Sequence, residues 1–327
     1  MTTSALPRVG ITVGDPAGIG PEIARKAAAD PVVQEVCEPV LYGPAGVVTD
    51  VVVGQVSAVA GRAAHAAIVE AVADARSGRI AAIATAPINK EAFAAAGFPW
   101  RGHTELLAEL TGAARVAMMF YAEALRVILA TVHIPISEVP RALTREVVEG
   151  TLELSARELP RFGFASPRIA VAGLNPHAGE HGVIGHEDDE VLRPAIEAMQ
   201  RRGVKVDGPF PADTVFVRAM RGEFDAVVAC YHDQGLIPVK LLAFGRAVNV
   251  TLGLPIVRTS VDHGTAFAIA GKEVADPSSM IEAVKLAARL AGANGQGPRD
   301  ERSHRTRRTN ERGVAGGGGG APPQTKK

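Results

Sequence analysis

The chain has 327 residues with equal numbers of basic and acidic side chains, 35 of each, and only two cysteines, Cys37 and Cys230. Zero net charge supplies no global field for nucleic acid or an anionic membrane, and two distant cysteines make no disulfide framework. No run of about eighteen apolar residues suggests a membrane span, and MTTSALPRVGITVGDP shows no signal peptide, so a soluble, cytoplasmic protein with two α/β lobes is expected.

In chain order, short apolar runs predict strands at 9–13, 39–43, 80–85, 115–121, 125–132, 168–173, 226–231 and 255–260. Helical periodicity predicts helices at 65–77, 104–111, 144–159, 188–202 and 278–292. In the last, Ser278 and Ser279 are candidate caps. Met280, Ala283, Val284, Ala287, Leu290 and Ala291 fall on one apolar face. Strands separated by helices imply βαβ units and mostly parallel sheet. Beyond residue 292 the texture becomes polar, with eight basic residues after position 298 and five consecutive glycines. Such a segment buries too little to offset its ordering entropy, so 293–327 reads as a disordered, solvated tail.

Chemistry in α/β folds concentrates beyond the carboxyl ends of strands. Five of the nine histidines, His103, His133, His177, His232 and His263, lie in or beside such loops. His133, His177 and His232 each follow a strand within about four residues, and parallel strands present those ends on one edge. Three imidazoles with an open position suit a catalytic divalent metal. Asp233 and Asp213 could orient an imidazole or move a proton. Lys240, Asn249 and Arg258 lie among apolar residues, where an unpaired charge is costly unless it meets an anion. His103 and Thr104 open the helix 104–111, whose first amides favour phosphate or carboxylate. GDPAGIGPE follows the first strand but is neither GxGxxG nor a P-loop. Taken alone it is a tight βα turn, with Pro21 starting a helix and Glu22 favoured by the helix dipole.

GDPAGIGPE, TAPINK, GHTE, NPHAGE, PADT, YHDQG, NVTLGLP and RTSVDHGTA occur together in this order. From residue 8 to about 290 the chain resembles the 4-hydroxythreonine-4-phosphate dehydrogenase family of vitamin B6 synthesis. GDPAGIGPE and HGTAFAIAGKEVADP are similar to the two cofactor loops of isopropylmalate and isocitrate dehydrogenases. The resemblance implies their two-lobed α/β fold with mostly parallel sheets and the active site in the cleft between lobes. Residues 1–132 plus 255–292 would form the cofactor-side lobe, and 133–254 the metal, substrate and dimerisation lobe.

The resemblance further implies that His133, His177 and His232 bind a divalent metal (zinc, magnesium or cobalt) in a homodimer, with one histidine crossing from the partner. It makes His103, Thr104, Lys240, Asn249 and Arg258 contacts to a phosphorylated substrate. Gly14, Asp15, Gly18 and the loop His263-Gly264-Thr265-Ala266 would meet NAD or NADP. Lys240, Asp233 and Asp213 are the candidates for proton transfer. The implied reaction oxidises the C3 hydroxyl of 4-phosphooxy-L-threonine and then decarboxylates the product. Two departures stand out: Ala268 replaces an aspartate that holds the cofactor ribose in isopropylmalate dehydrogenase relatives, and His181 replaces a frequent glycine. His181 and His186 read as solvent-facing bystanders. YHDQGLIPVKLL and GHEDDE also resemble the branch acting on 4-phospho-D-threonate or D-erythronate. A non-redox metal-dependent lyase or hydrolase is the alternative from another class.

Overall fold

In a computed structural model, residues 5–44, 50–100 and 102–293 are described; the expected disordered tail therefore lies outside the described residues. Ten strands form one sheet: β1 (Arg8–Thr12), β2 (Glu38–Tyr42), β3 (Ala82–Thr85), β4 (Ala117–Ala122), β5 (Leu125–Leu129), β6 (Ile169–Ala172), β7 (Val206–Phe210), β8 (Ala226–Ala229), β9 (Val248–Leu252) and β10 (Val257–Ser260). Their order is β2-β1-β3-β10-β9-β4-β5-β8-β6-β7. The expected mixed α/β, mostly parallel class holds: β2, β1, β3 and β10 are mutually parallel, as are β5, β8, β6 and β7. The middle departs from it. The pairs β10–β9, β9–β4 and β4–β5 are antiparallel. The two parallel groups therefore run in opposite directions, and their strand exits lie at opposite edges of the sheet.

All eight expected strands form within a few residues of their predicted bounds. Sequence periodicity missed β7 and β9. The first, VDGPF, contains Gly and Pro, which read as a turn and are tolerated here because β7 is an edge strand. The second, VNVTL, dilutes its apolar alternation with Asn249 and Thr251. Helix His232–Ala243 was also hidden, because Gly235 and Pro238 sit inside it. Gly235 has a packing role. A Cβ there would lie 2.7 Å from Leu129 Cδ2, 2.8 Å from Val127 Cγ1 and 3.2 Å from Ala229 Cβ, so the helix rides close on β5 and β8.

One face of the sheet carries a continuous apolar core. Every strand except β2 contributes to it, packed under helices Gly20–Ala28, Arg145–Glu158, Arg193–Arg201 and Ser278–Ala293. The expected face of the last helix is confirmed: Met280, Ala283, Val284, Ala287 and Leu290 are buried and Ala291 is partly buried. Its capping differs from expectation. Asp276 Oδ1 accepts from the Ser278 backbone N–H at 2.9 Å and from its hydroxyl at 2.6 Å, because a carboxylate is the stronger acceptor.

On the opposite face the apolar packing divides. One cluster covers β3 with helices Ala58–Arg76, Lys90–Ala95 and His103–Thr111. The other covers β5, β6 and β8 with helices Ala212–Met220 and His232–Ala243. Among the described residues no helix is long and apolar enough to cross a membrane. Replacing Gly235→Val should force the His232–Ala243 helix off the sheet and lower the unfolding free energy by about 2–3 kcal/mol, read from denaturant melts.

Candidate functional site

Between the two clusters the sheet turns polar. Thr12, Thr85, Ser260 and Asn249 are register partners across β1, β3, β10 and β9, so they share one face. Arg258 and Thr251, each two residues from this row, lie on the same face. Arg258 is 2% exposed. Its Nη1 donates to Thr251 Oγ1 at 2.9 Å and its Nη2 to Thr85 Oγ1 at 2.7 Å, while Nε is enclosed without a partner. Among the described residues no carboxylate pairs with it, and burial pulls its pKa down to about 9. His103 Nε2 and Asn249 Oδ1 are likewise enclosed and unpartnered. Burial, reinforced by the Arg258 charge, holds the His103 imidazole well below its usual pKa and therefore neutral. Together these atoms offer a fixed positive charge, an imidazole and an amide acceptor with no internal use. Thr104 and Glu105 follow His103 in the first turn of helix His103–Thr111.

At the rim, His133 leaves β5 with φ of +42° and His232 begins its helix after β8. Their ring centroids are 5.6 Å apart, close to the roughly 5 Å expected for two imidazoles on one tetrahedral metal with bonds of about 2.0–2.1 Å. His232 Nδ1 lies 2.6 Å from Asp233 Oδ1. An ionised carboxylate only accepts, which places the proton on Nδ1 and leaves the Nε2 lone pair free for a ligand. Partial burial, then the charges of Lys90 and His232, lower the His133 pKa, with Glu105 acting oppositely. Lys90 and Glu105 belong to the helices covering β3, so the imidazole pair faces them across the gap between clusters. A cavity of about 370 Å³ lined by Thr131, His133, Ile136, Tyr231, His232 and Asp233 opens here.

His177 does not join them. Among the described residues no three His, Cys, Asp or Glu side chains gather closely enough to hold a metal ion. The expected edge is right, since β5, β8 and β6 are parallel neighbours, but β6 lies two strand spacings from β5. Its exit loop also coils back: His177, Ala178, Glu180 and His181 all have positive φ, between +44° and +55°. Each such non-glycine residue costs about 1–3 kcal/mol and needs an external constraint. Asp188 supplies one. Fully buried, it accepts from Leu174 N at 2.9 Å, Asn175 N at 3.0 Å and Asn175 Nδ2 at 2.9 Å. His177, His181 and His186 are all exposed. Asp213 is exposed in the first turn of helix Ala212–Met220, which packs against the His177 loop. Lys240 is half-buried two turns beyond His232 on the same helix.

The two loops expected at a cofactor are in contact. Ile19 N donates to Thr265 O at 3.0 Å, and a Cβ on Gly18 would come within 2.8 Å of Thr265, so only glycine permits the approach. Gly14, with φ of +70°, turns the chain out of β1. Asp15 is buried, accepts from Ala17 N at 2.8 Å through Oδ1, and leaves Oδ2 unpartnered; burial raises its pKa. Gly264 and Ala266 are exposed, Ala266 has φ of +45°, and a Cβ on Gly264 would meet nothing within 4 Å. His263 Nδ1 lies 3.0 Å from Gly264 O. The contact brings the exposed backbone of 264–266 beside the turn after β1 that carries the unpartnered Asp15 oxygen. Lys90, Glu105, Thr85, Thr251 and Asp188 were not singled out in the sequence. The available signal was their place in quoted motifs: Thr85 and Lys90 in TAPINK, Glu105 in GHTE, Asp188 in GHEDDE and Thr251 in NVTLGLP.

Fold and site together define a mixed-sheet α/β protein with an enclosed guanidinium between two apolar clusters and an imidazole pair beside a cavity. A family model described as pyridoxal phosphate biosynthetic protein PdxA matches residues 22–287. The chain is 44% identical to the 4-hydroxythreonine-4-phosphate dehydrogenase of Desulforapulum autotrophicum, over 89% of this chain and 98% of that protein. It is 46% identical to the D-threonate 4-phosphate dehydrogenase of Cupriavidus necator, over 88% and 98%. The crystal structure of 4-hydroxythreonine-4-phosphate dehydrogenase from Klebsiella pneumoniae superposes with a TM-score of 0.82 at 41% identity, covering 89% of this chain and 99% of that one. The fold alone is shared with isocitrate dehydrogenase from Methylococcus capsulatus, with a TM-score of 0.50, 18% identity and coverage of 94% and 92%. The chain belongs to the PdxA family.

A histidine held neutral by the fold titrates lower there than in the unfolded chain, where the pKa is about 6.5. Below that pH the unfolded state binds the proton first, so stability is full above it and is lost as the pH falls. His65 and His133 shift the same way. The melting temperature should fall between pH 7 and pH 5, with a shallower slope in His103→Gln.

Proposed function

We propose that the chain is a metal-dependent, NAD(P)-linked dehydrogenase of a small phosphorylated hydroxy acid, with 4-phosphooxy-L-threonine as the preferred substrate. The observation that carries this is Arg258: a buried guanidinium with two hydroxyl partners, an unused Nε and, among the described residues, no carboxylate. Such a charge needs an anion. With neutral His103, Thr104 at a helix start, Asn249 and Lys240, it would bind and orient the substrate's phosphate and polar groups. The bound metal would polarise the C3 hydroxyl and stabilise negative charge there during hydride loss and decarboxylation, giving 3-amino-2-oxopropyl phosphate. His133 and His232 would supply two nitrogens and His177 the third. Asp233 keeps His232 in the ligating tautomer, and Lys240 or Asp213 would move the proton. Gly14, Asp15, Gly18 and His263–Ala266 would hold the dinucleotide. In this reading residues 1–132 and 255–292 form one lobe and 133–254 the other.

The chain would work as a homodimer. Two observations support it: among the described residues His133 and His232 meet with no third ligand beside them, and Ile237, Leu241 and Phe244 form an apolar stripe on helix His232–Ala243 and its end, 59%, 84% and 81% exposed. A second copy covering that stripe would bring its own residues to the imidazole pair.

The deciding assay is reduction of NAD or NADP with 4-phosphooxy-L-threonine, 4-phospho-D-threonate and 4-phospho-D-erythronate, before and after chelation. Turnover only with the sugar acids would place the chain with the relative from Cupriavidus necator; turnover that survives chelation would remove the metal role. His177→Ala should abolish turnover, while His181→Ala should change it less than about threefold. In light scattering, Leu241→Glu with Phe244→Glu should convert a dimer to monomer and abolish activity. A wild-type monomer with full activity would remove the shared site.

A further inference from the structure

The loop offered to the dinucleotide is tied at both ends. The near tether is the Ile19–Thr265 backbone bond. The far tether is a largely enclosed ion pair 250 residues away in sequence. Glu22, with a side chain 5% exposed, accepts through Oε1 from Lys26 Nζ at 2.7 Å and from the Ala275 backbone N–H, also at 2.7 Å. Lys26 Nζ also donates to Glu273 O at 3.1 Å and Ala275 O at 3.0 Å. The pair thus meets three backbone groups of the loop's end. There Glu273 adopts a φ of +56° that a free chain would leave, and its carboxylate takes a further bond from Arg25 at 2.9 Å. Between the tethers, Ala266, Ala268 and Ile269 face solvent, as does Gly264 just before the first.

The helix dipole explains an acid at position 22 but not these contacts. A buried ion pair is a poor source of net stability, since apolar groups of the same volume commonly serve as well. Its distinct property here is directional: it fixes where a distant loop ends. We propose that Glu22 and Lys26 are positioning residues for the dinucleotide site, holding the 263–275 loop in its cofactor-receiving shape without touching the cofactor. The proposal rests on the dinucleotide reading above. When the receiving shape is only fractionally populated, apparent affinity falls by that fraction.

Three full-length variants test it: Glu22→Gln, Lys26→Met and the conservative Lys26→Arg. The first two should weaken NAD or NADP binding about tenfold by calorimetry, the size expected if the receiving shape falls to about a tenth of the population. KM for the dinucleotide should rise equally, with kcat and KM for the phosphorylated substrate within twofold of wild type. Hydrogen exchange at the Ala275 amide, measured without ligand, should accelerate in both, and Lys26→Arg should recover most of the affinity. Lys26 is one-third exposed, so its variants decide if Glu22→Gln fails to fold. A lower melting temperature with unchanged dinucleotide affinity would overturn the proposal and leave the pair a structural bond. Absence of NAD and NADP binding in the wild type would instead overturn the dinucleotide reading, and this proposal with it.

Discussion

Arg258 occupies a central strand with its guanidinium enclosed, and the hydroxyls of Thr85 and Thr251 are its hydrogen-bond partners. Removing a charge from water is costly, and two neutral hydroxyls return only part of that cost. The sheet accepts it because the neighbouring positions are polar too: Thr12, Thr85, Ser260 and Asn249 extend the row across four strands. With apolar residues here the two clusters on this face could fuse, as the core does behind the sheet. The gap between them, and the enclosed guanidinium within it, exist because this row does not join either cluster.

The antiparallel centre shapes the site as strongly. By reversing direction between β10 and β5, the chain sends the exits of β1, β3 and β10 to one edge and those of β5, β8 and β6 to the other. The loops after β1 and β10 and the histidines after β5, β8 and β6 are thereby kept at opposite edges of the sheet. On the face between, Lys90 and Glu105 act with opposite sign on the His133 imidazole. A wholly parallel sheet would have crowded all of these loops together.

Two buried carboxylates do comparable work at the periphery. Asp188 gathers three N–H groups and constrains a loop in which four non-glycine residues adopt positive φ, His177 among them. Glu22 reaches the far end of the 263–275 loop. In each case a buried acid hydrogen-bonds the backbone of an exit loop, at a distance in sequence that no local pattern reveals.

The sequence by itself determined the eight strands with strong apolar runs, the buried face of helix Ser278–Ala293 and the family. Those features are local or motif-borne, so side-chain type and spacing are enough to expose them. It left β7, β9 and helix His232–Ala243 hidden, because glycine, proline, asparagine and threonine there obey contacts with neighbours rather than periodicity. Only the tertiary structure decided that His133 meets His232 and not His177, and that Arg258 hydrogen-bonds two threonine hydroxyls. It also decided that Glu22 and Asp188 brace loops instead of facing water. Which groups end as neighbours depends on strand order and direction, set by packing across the whole sheet, and no stretch of sequence contains that sum.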